Sequence, residues 1–264
     1  MTALRPDVLA GKVVFISGGT QGVGAAAART AAACGAEAVV ISGRRAEIAD
    51  SVIDDVATLG ASAMFVRADV ADVGQALASV AAVVEEFGRV DCVVNAAGLV
   101  DRGSLLDTTP ELFDRHIAVN LRGPFFVMQA AVKDMLRRGA PGTIVNVITL
   151  TEHTGQAFLA PYAAAKGGLA TLTRNAAHAH RWDRIRVNGL NIGWTATEGE
   201  DAIQRRAHGA GDGWLAKAAS HLPAGRLGDP AEIADMIVYL LSDASGIVTG
   251  SVMDWDQNVI GALD

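Results

Sequence analysis

The 264-residue chain is sparing with the side chains that usually announce a mechanism: two cysteines, two tyrosines and four lysines, with aromatics at 5% and Asp, Glu, Lys and Arg together at 19%. Cys34 and Cys92 sit in apolar surroundings without C-x-x-C spacing, which argues against a disulfide framework or a thiolate metal site and for buried thiols in a reducing compartment. A net charge of -7 leaves no basic surface for a polyanion, so no nucleic-acid partner is expected. Mean hydropathy is +0.28, yet it rests on alanine. Polar residues interrupt every run before the ~18 apolar residues of a spanning helix, so no membrane association is expected. Residues 1–7 lack the basic-then-apolar order of a secretory signal, and the first apolar run, 13–16, is too short for one; the expected location is cytoplasmic. Internal repeats, low-complexity tails and Pro/Ser-rich linkers are missing, which points to a single domain over 1–264.

What is present is an alternation. Apolar, β-rich runs at 13–16, 39–41, 64–66, 90–94, 143–148, 185–190 and 247–253 are separated by Ala-rich stretches at 22–34, 45–59, 72–87, 110–137, 160–182 and 230–241. Continuously apolar strands alternating with helices predict a parallel sheet covered on both faces. Right-handed crossovers then give an α/β, doubly wound, Rossmann-like sheet of about seven strands, with ligands at the strands' carboxyl ends. The segment 194–224 breaks the rhythm: it is polar, contains glycine, and follows a strand's carboxyl end, where a substrate lid is expected in preference to a plain surface insertion.

Directly after the first strand comes Ser17-Gly18-Gly19-Thr20-Gln21-Gly22-Val23-Gly24. Gly18, Gly22 and Gly24 let the backbone turn tightly and approach a pyrophosphate, whose charge meets amide groups at a helix N-terminus. The spacing G-x-x-x-G-x-G departs from the common dinucleotide fingerprint but keeps its physics. Near the end of the second strand, where an NAD-binding chain usually offers a carboxylate to the ribose hydroxyls, this chain has Gly43-Arg44-Arg45. A planar guanidinium suits a 2′-phosphate in charge and in paired hydrogen-bond geometry, so NADP(H) is the expected cofactor, with NAD(H) the alternative. Asp69-Val70 after the third strand reads equally as an adenine contact or as a strand end.

Tyr162 and Lys166 carry the chemical signal. Four residues apart on a helix, they project from one face. With so few of either residue, such a pair arises by composition alone in only about 3% of shuffled chains. A nearby ammonium stabilises phenolate, so the pairing predicts a Tyr pKa lowered toward neutrality and a general acid/base. Thr149, thirteen residues upstream at a strand end, offers a hydroxyl to a carbonyl oxygen in the same crevice. Asn120, a polar amide amid apolar neighbours, is either a satisfied core amide or a kink with a water relay to Lys166.

Together these residues resemble the short-chain dehydrogenase/reductase family over about 10–255. The matching segments are the glycine turn, Asp69-Val70, Asn95-Ala96-Ala97-Gly98, Val119-Asn120-Leu121, the strand ending in Thr149, Tyr162 to Lys166, and Arg186-Val187-Asn188. The resemblance implies a catalytic tetrad of Asn120, Thr149, Tyr162 and Lys166. Asn95 would brace the sheet and, with Thr20, Gln21, Val23, Ala96, Gly98, Ile192, Thr195 and Thr197, would join the glycines, Arg44, Arg45, Asp69, Val70, Tyr162 and Lys166 around the cofactor. Hydride would pass between nicotinamide and a secondary alcohol or ketone. A homotetramer is implied, with a dimer as the alternative, and with the helix bearing Tyr162 and that at 110–137 at an interface. Three departures stand out: Thr149 replaces the usual Ser, Ile192 replaces the Pro of a common Pro-Gly, and 249–256 lacks paired glycines.

His178 and His180 diverge on a helix, and Asp254 and Asp256 lack the rest of a calcium loop, so no metal is expected. His153 is a pocket or a loop residue with equal warrant, while Phe158, Trp194 and Trp214 are candidate apolar walls for a small to medium, largely apolar substrate. The competing class is a nucleotide-binding regulator or scaffold without turnover, which would be expected to have lost Tyr162 or Lys166.

Overall fold

Seven apolar runs join one parallel sheet: β1 (Val13–Ser17), β2 (Ala38–Gly43), β3 (Ser62–Arg67), β4 (Cys92–Asn95), β5 (Gly142–Thr149), β6 (Ile185–Ile192) and β7 (Val252–Trp255), in the order β3-β2-β1-β4-β5-β6-β7. The computed structural model describes residues 2, 4–153 and 155–261. The helices are α1 (Gly22–Ala33), α2 (Asp50–Thr58), α3 (Val73–Phe87), α4 (Pro110–Ile117), α5 (Gly123–Arg138), α6 (Ala160–His180), α7 (Glu198–His208), α8 (Trp214–Ala219) and α9 (Pro230–Leu241). Apolar residues of α1, α2 and α9 pack on one face of the sheet and those of α3, α5 and α6 on the other. The central strands are therefore buried on both faces, which is why β1, β4 and β5 show no polar alternation.

Topology places the site. From β1 the chain winds outward to β2 and β3, then returns to β4 on the opposite side, so the strand order reverses between β1 and β4. A crevice opens there at the carboxyl ends. Register brings Ser17 opposite Asn95, Asn95 opposite Asn146, and Thr149 opposite Ile192 along that edge. Asn95 donates to Asn146 Oδ1 at 2.8 Å in the buried centre of the sheet, and Asn146 donates on to Thr173 of α6 at 2.9 Å. Cys34 and Cys92 are free, buried thiols, and burial pushes Cys92 up to about 11.

Several elements differ from the pattern read in the sequence. The helical stretch at 110–137 is interrupted by a π-turn at Ala118–Arg122, and 45–49 forms turns before α2. The last strand lies at Val252–Trp255, beyond the apolar pair Ile247 and Val248, which are 95% and 37% exposed. β6 runs on through Ile192, paired with Thr149 and Trp255. Ile192 keeps the backbone N–H that proline lacks, and the strand continues past the point where a Pro-Gly would turn it. The segment 194–224 is built around two helices, α7 capped by Thr197 and the short α8.

Candidate active site

The cleft at the carboxyl edge has a volume of about 1400 Å³ and runs from the glycine turn to α7. At one end β1 passes into α1 through a turn only glycine can make. Gly18 has φ +81°, and a Cβ there would lie 2.4 Å from the Ala97 nitrogen. A Cβ on Gly24 would lie 2.2 Å from the Gly18 carbonyl oxygen. The Gln21 side chain at the N-cap of α1 makes no capping bond, and Gly22, Val23 and Gly24, which carry the first amides of the helix, line the cleft. Gln21 instead accepts from the Arg45 guanidinium at 2.7 Å, which draws that cation over the turn, while Arg44 stands exposed beside it. Asp69 folds back to accept from the Ala71 amide at 3.0 Å through one carboxylate oxygen, a local turn that leaves the other oxygen beside the cleft. Val23, Val70, Ala96, Gly98, Thr20, Ile192, Thr195 and Thr197 also line the cleft. Thr197 Oγ1 is engaged as the acceptor capping the Glu200 amide at 3.1 Å.

Midway along, Thr149, Tyr162 and Lys166 meet in the same lining. Thr149 is 8% exposed at the end of β5 and Lys166 is 3% exposed on α6, one helical turn beyond Tyr162. The Lys166 ammonium donates to the Val147 carbonyl at 2.6 Å and lies 5.9 Å from the centre of the Tyr162 ring. That one bond uses one of three N–H donors.

The structure reverses the expected lowering of the tyrosine. Burial pushes the Tyr162 phenol up to about 12, the Thr149 hydroxyl pulling the other way, and burial pushes Lys166 down to about 8. Desolvation penalises the charged form of each group and is the leading cause of both shifts. Stability should register this. The folded chain releases the Lys166 proton near pH 8, whereas the unfolded chain keeps it to the ordinary 10.5, so the unfolded state binds more protons in between. The Lys166 contribution to stability therefore rises with pH from about 8 to 10.5, by about 3 kcal/mol in all, while Cys92, its thiol raised from 9.0 to about 11, works against it from about pH 9. Above pH 10 Tyr162 opposes it, since the unfolded phenol ionises near 10 and the folded one near 12. Between pH 7.5 and 9.5, urea unfolding should show about 2 kcal/mol more gain in wild type than in Lys166→Met; equal gains in both would refute the assignment.

Asn120 is fully buried in the π-turn and does not reach the cleft surface. Its Nδ2 donates to the Leu99 carbonyl at 2.9 Å and its Oδ1 accepts the Leu99 amide at 3.0 Å, which clamps the loop after β4. The amide is thus satisfied by the core, and it sits at the backbone irregularity as well. His116, also fully buried, completes the arrangement: Nδ1 lies 3.2 Å from Asn120 Nδ2, Nε2 lies 3.0 Å from the Asp101 carbonyl, and the ring meets Tyr162 edge to face at 6.2 Å. Burial lowers the His116 pKa, in keeping with a neutral ring accepting at Nδ1 and donating at Nε2.

Beyond Tyr162 the walls are mixed, with charged residues set among apolar ones such as Leu159, Ile203 and Leu222. Phe158 and Trp194 line the cleft with Arg102, Glu200, Gln204 and His208. Trp214 stands behind Trp194, ring centres 6.1 Å apart, and donates to Asp201 at 2.7 Å. His153 lies outside the lining, within hydrogen-bond distance of Asp254 at 2.8 Å and Asn191 at 3.0 Å. The two candidates fall outside the wall for one reason: each ring is held by a carboxylate away from the crevice. Arg102, His116 and Glu200 escaped the sequence reading. A Thr-x-x-Glu cap at 197–200 was the one local signal for Glu200, and Arg102 and His116 had none.

These features define the class: a nucleotide-binding turn and a Tyr/Lys pair opening into one cleft on a doubly wound sheet. The comparisons agree. The family profile described as Enoyl-(Acyl carrier protein) reductase (adh_short_C2) matches residues 18–257. An L-rhamnose 1-dehydrogenase (NAD(P)(+)) of Azotobacter vinelandii is 35% identical, covering 92% of this chain and 94% of its own. A gluconate 5-dehydrogenase of Gluconobacter oxydans is 33% identical, covering 98% and 99%. The structure of levodione reductase superposes with a TM-score of 0.88 at 30% identity, covering 94% of this chain and 97% of its own. The chain belongs to the short-chain dehydrogenase/reductase family. It is an NAD(P)-dependent oxidoreductase acting on alcohol and ketone groups.

Proposed function

We propose that the protein is an NADP-dependent oxidoreductase that interconverts a secondary alcohol and a ketone, with Tyr162 as general acid/base. The observation that carries the cofactor choice is the pair Arg44 and Arg45 at the end of β2, one of them drawn onto Gln21 of the glycine turn at 2.7 Å. The residues fit such a cofactor. Gly18 and Gly24 let the turn close tightly against the main chain of Ala97 and of Gly18, where a Cβ would collide, the first amides of α1 suit a pyrophosphate, and the arginines suit a 2′-phosphate. The spare N–H donors of Lys166 suit ribose hydroxyls, the free Asp69 oxygen an adenine amino group, and Ile192, Thr195 and Thr197 border the nicotinamide side. When bound, the cofactor supplies or accepts hydride at the carbinol or carbonyl carbon.

The chain's own residues do the rest. Thr149 donates to the substrate oxygen and fixes it beside the phenol. Tyr162, held protonated by burial, gives its proton to that oxygen in reduction and takes it back in oxidation. Lys166 holds positive charge next to the site and favours the phenolate needed for oxidation. Asn120 and His116 position the loop after β4 and the tyrosine ring. Segment 194–224 covers the substrate end as a lid, which the α7 contacts to Arg102 and Asp101 support. The exposed Phe125 and Leu136 on α5 support a homotetramer; a monomer in sedimentation velocity would contradict it.

Calorimetric titration tests the cofactor reading. NADPH should bind at least tenfold more tightly than NADH, and Arg44→Ala or Arg45→Ala should weaken NADPH by roughly 10- to 100-fold while leaving NADH within about threefold. A native preference for NADH would overturn it.

A further inference from the structure

Two charged side chains in the cleft have no part in the chemistry above. Arg102 follows β4 and Glu200 lies in the first turn of α7, and they meet across the substrate end with Nη2 and Oε1 3.6 Å apart and side chains only 16% and 15% exposed. Withdrawing both charges from water is costly unless hydrogen bonds satisfy them, and 3.6 Å is too long for one. Nor do their neighbours use them up. Arg102 Nε donates to His208 Nε2 at 3.1 Å and Nη1 donates to the Val100 carbonyl at 3.0 Å, which leaves N–H groups on both terminal nitrogens. Glu200 Oε1 accepts from Trp194 at 2.8 Å and from Gln204 at 2.7 Å, while Oε2 accepts no hydrogen bond among the described residues. In a Thr-x-x-Glu cap the glutamate would fold back on the helix terminus; here it is turned to Trp194 and the cleft. Phe158 lies 5.4 Å beneath the Arg102 guanidinium and holds its plane. Arg102, Glu200 and Tyr162 line the same cleft, and the two charges act on the phenol in opposite senses.

We infer that Arg102 and Glu200 form a subsite for a hydroxyl group next to the reacting carbon, so that the substrate is a vicinal diol or α-hydroxyketone of carbohydrate type. A hydroxyl accepts from the guanidinium and donates to Oε2 at once, the two roles this gap leaves open. An alkyl group in its place leaves two desolvated charges unanswered. The inference rests on the oxidoreductase reading of the Tyr162 cleft.

The test compares reduction of 3-hydroxy-2-butanone and 2-butanone by the holoenzyme. The hydroxyketone should be preferred in kcat/KM by at least ~30-fold, since sites built to hydrogen-bond a substrate hydroxyl reject analogues lacking it. Glu200→Gln and Arg102→Met should each bring that ratio below about threefold. Oxidation of D-glucose and D-gluconate, run beside it, tells a neutral sugar from a sugar acid as the diol's source; the favoured one should respond to the same two substitutions. A ratio near one in wild type, or one unchanged in both variants, would overturn the subsite. Binding is read separately by tryptophan fluorescence in Tyr162→Phe, because Trp194 donates to Glu200. A saturable change with 3-hydroxy-2-butanone, lost when Glu200→Gln is added, supports the subsite even if no ketone is turned over, in which case the oxidoreductase reading alone fails. Turnover without that change overturns the subsite alone.

Discussion

Replacing Tyr162 with Phe lowers kcat/KM for ketone reduction by roughly 10³-fold, about 4 kcal/mol of transition-state stabilisation, with little change in stability or in NADPH affinity. The substitution removes one oxygen. The ring, its edge-to-face contact with His116 at 6.2 Å and its place on α6 are retained, so the loss isolates proton transfer. The pH dependence has a definite sign. Reduction uses the protonated phenol, which burial maintains, and should hold level through neutrality before falling at high pH; oxidation uses the phenolate and should rise with pH. Paired rate profiles in the two directions check this. A Phe variant that keeps most of its kcat/KM would remove Tyr162 from the chemistry.

Gly18→Ala produces the largest effect on the scaffold. Its Cβ would meet the Ala97 nitrogen at 2.4 Å, the Ala97 Cα at 2.5 Å and the Ala96 carbonyl carbon at 2.9 Å, all main-chain atoms, at a φ of +81°. None of these can yield by a side-chain rotation, so the loop after β4 must move away from β1. Strain at the positive φ and overpacking each cost about 1–3 kcal/mol. Melting should drop by roughly 5–10 °C, and NADPH binding should weaken by more than about tenfold because the same turn faces the pyrophosphate. Gly88→Ala is the matched control. Gly88 has φ +75° but nothing within 4 Å of its Cβ, so it should cost about 1 kcal/mol and leave cofactor binding unchanged. Equal melting losses in the two variants would mean that φ alone, and not the close approach of two strand ends, makes Gly18 necessary.

The sheet was readable because its strands are buried on both faces, and buried strands are written as unbroken apolar runs. Helix 230–241 was legible to the residue, since Asp229 caps it and Pro230 opens it. The final strand was misplaced because hydrophobicity alone was read at its edge: Ile247 is apolar yet 95% exposed, while Val252–Trp255 pairs with β6. The π-turn at Ala118–Arg122 leaves no trace in a periodicity that spans both flanking helices. Within the cleft, a four-residue spacing identified Tyr162 and Lys166 as neighbours but could not convey their burial, and burial reversed the expected direction of the tyrosine shift. Arg102 and Glu200 stand 98 positions apart, so only the tertiary fold makes them a pair. Trp214 reads as a wall residue by type and His153 equally as a pocket or a loop residue, but Asp201 and Asp254 hold them away from the crevice.

With Tyr162 and the glycine turn lining one cleft, hydride passes from the cofactor to a carbonyl held there, and isotope transfer tests that most directly. Wild-type protein, NADPH carrying deuterium at the transferable C4 position and 3-hydroxy-2-butanone should give a diol with one deuterium on the new carbinol carbon, and Tyr162→Phe should give almost none. A product labelled elsewhere, or no label transferred to any ketone by protein that binds NADPH, would contradict the account.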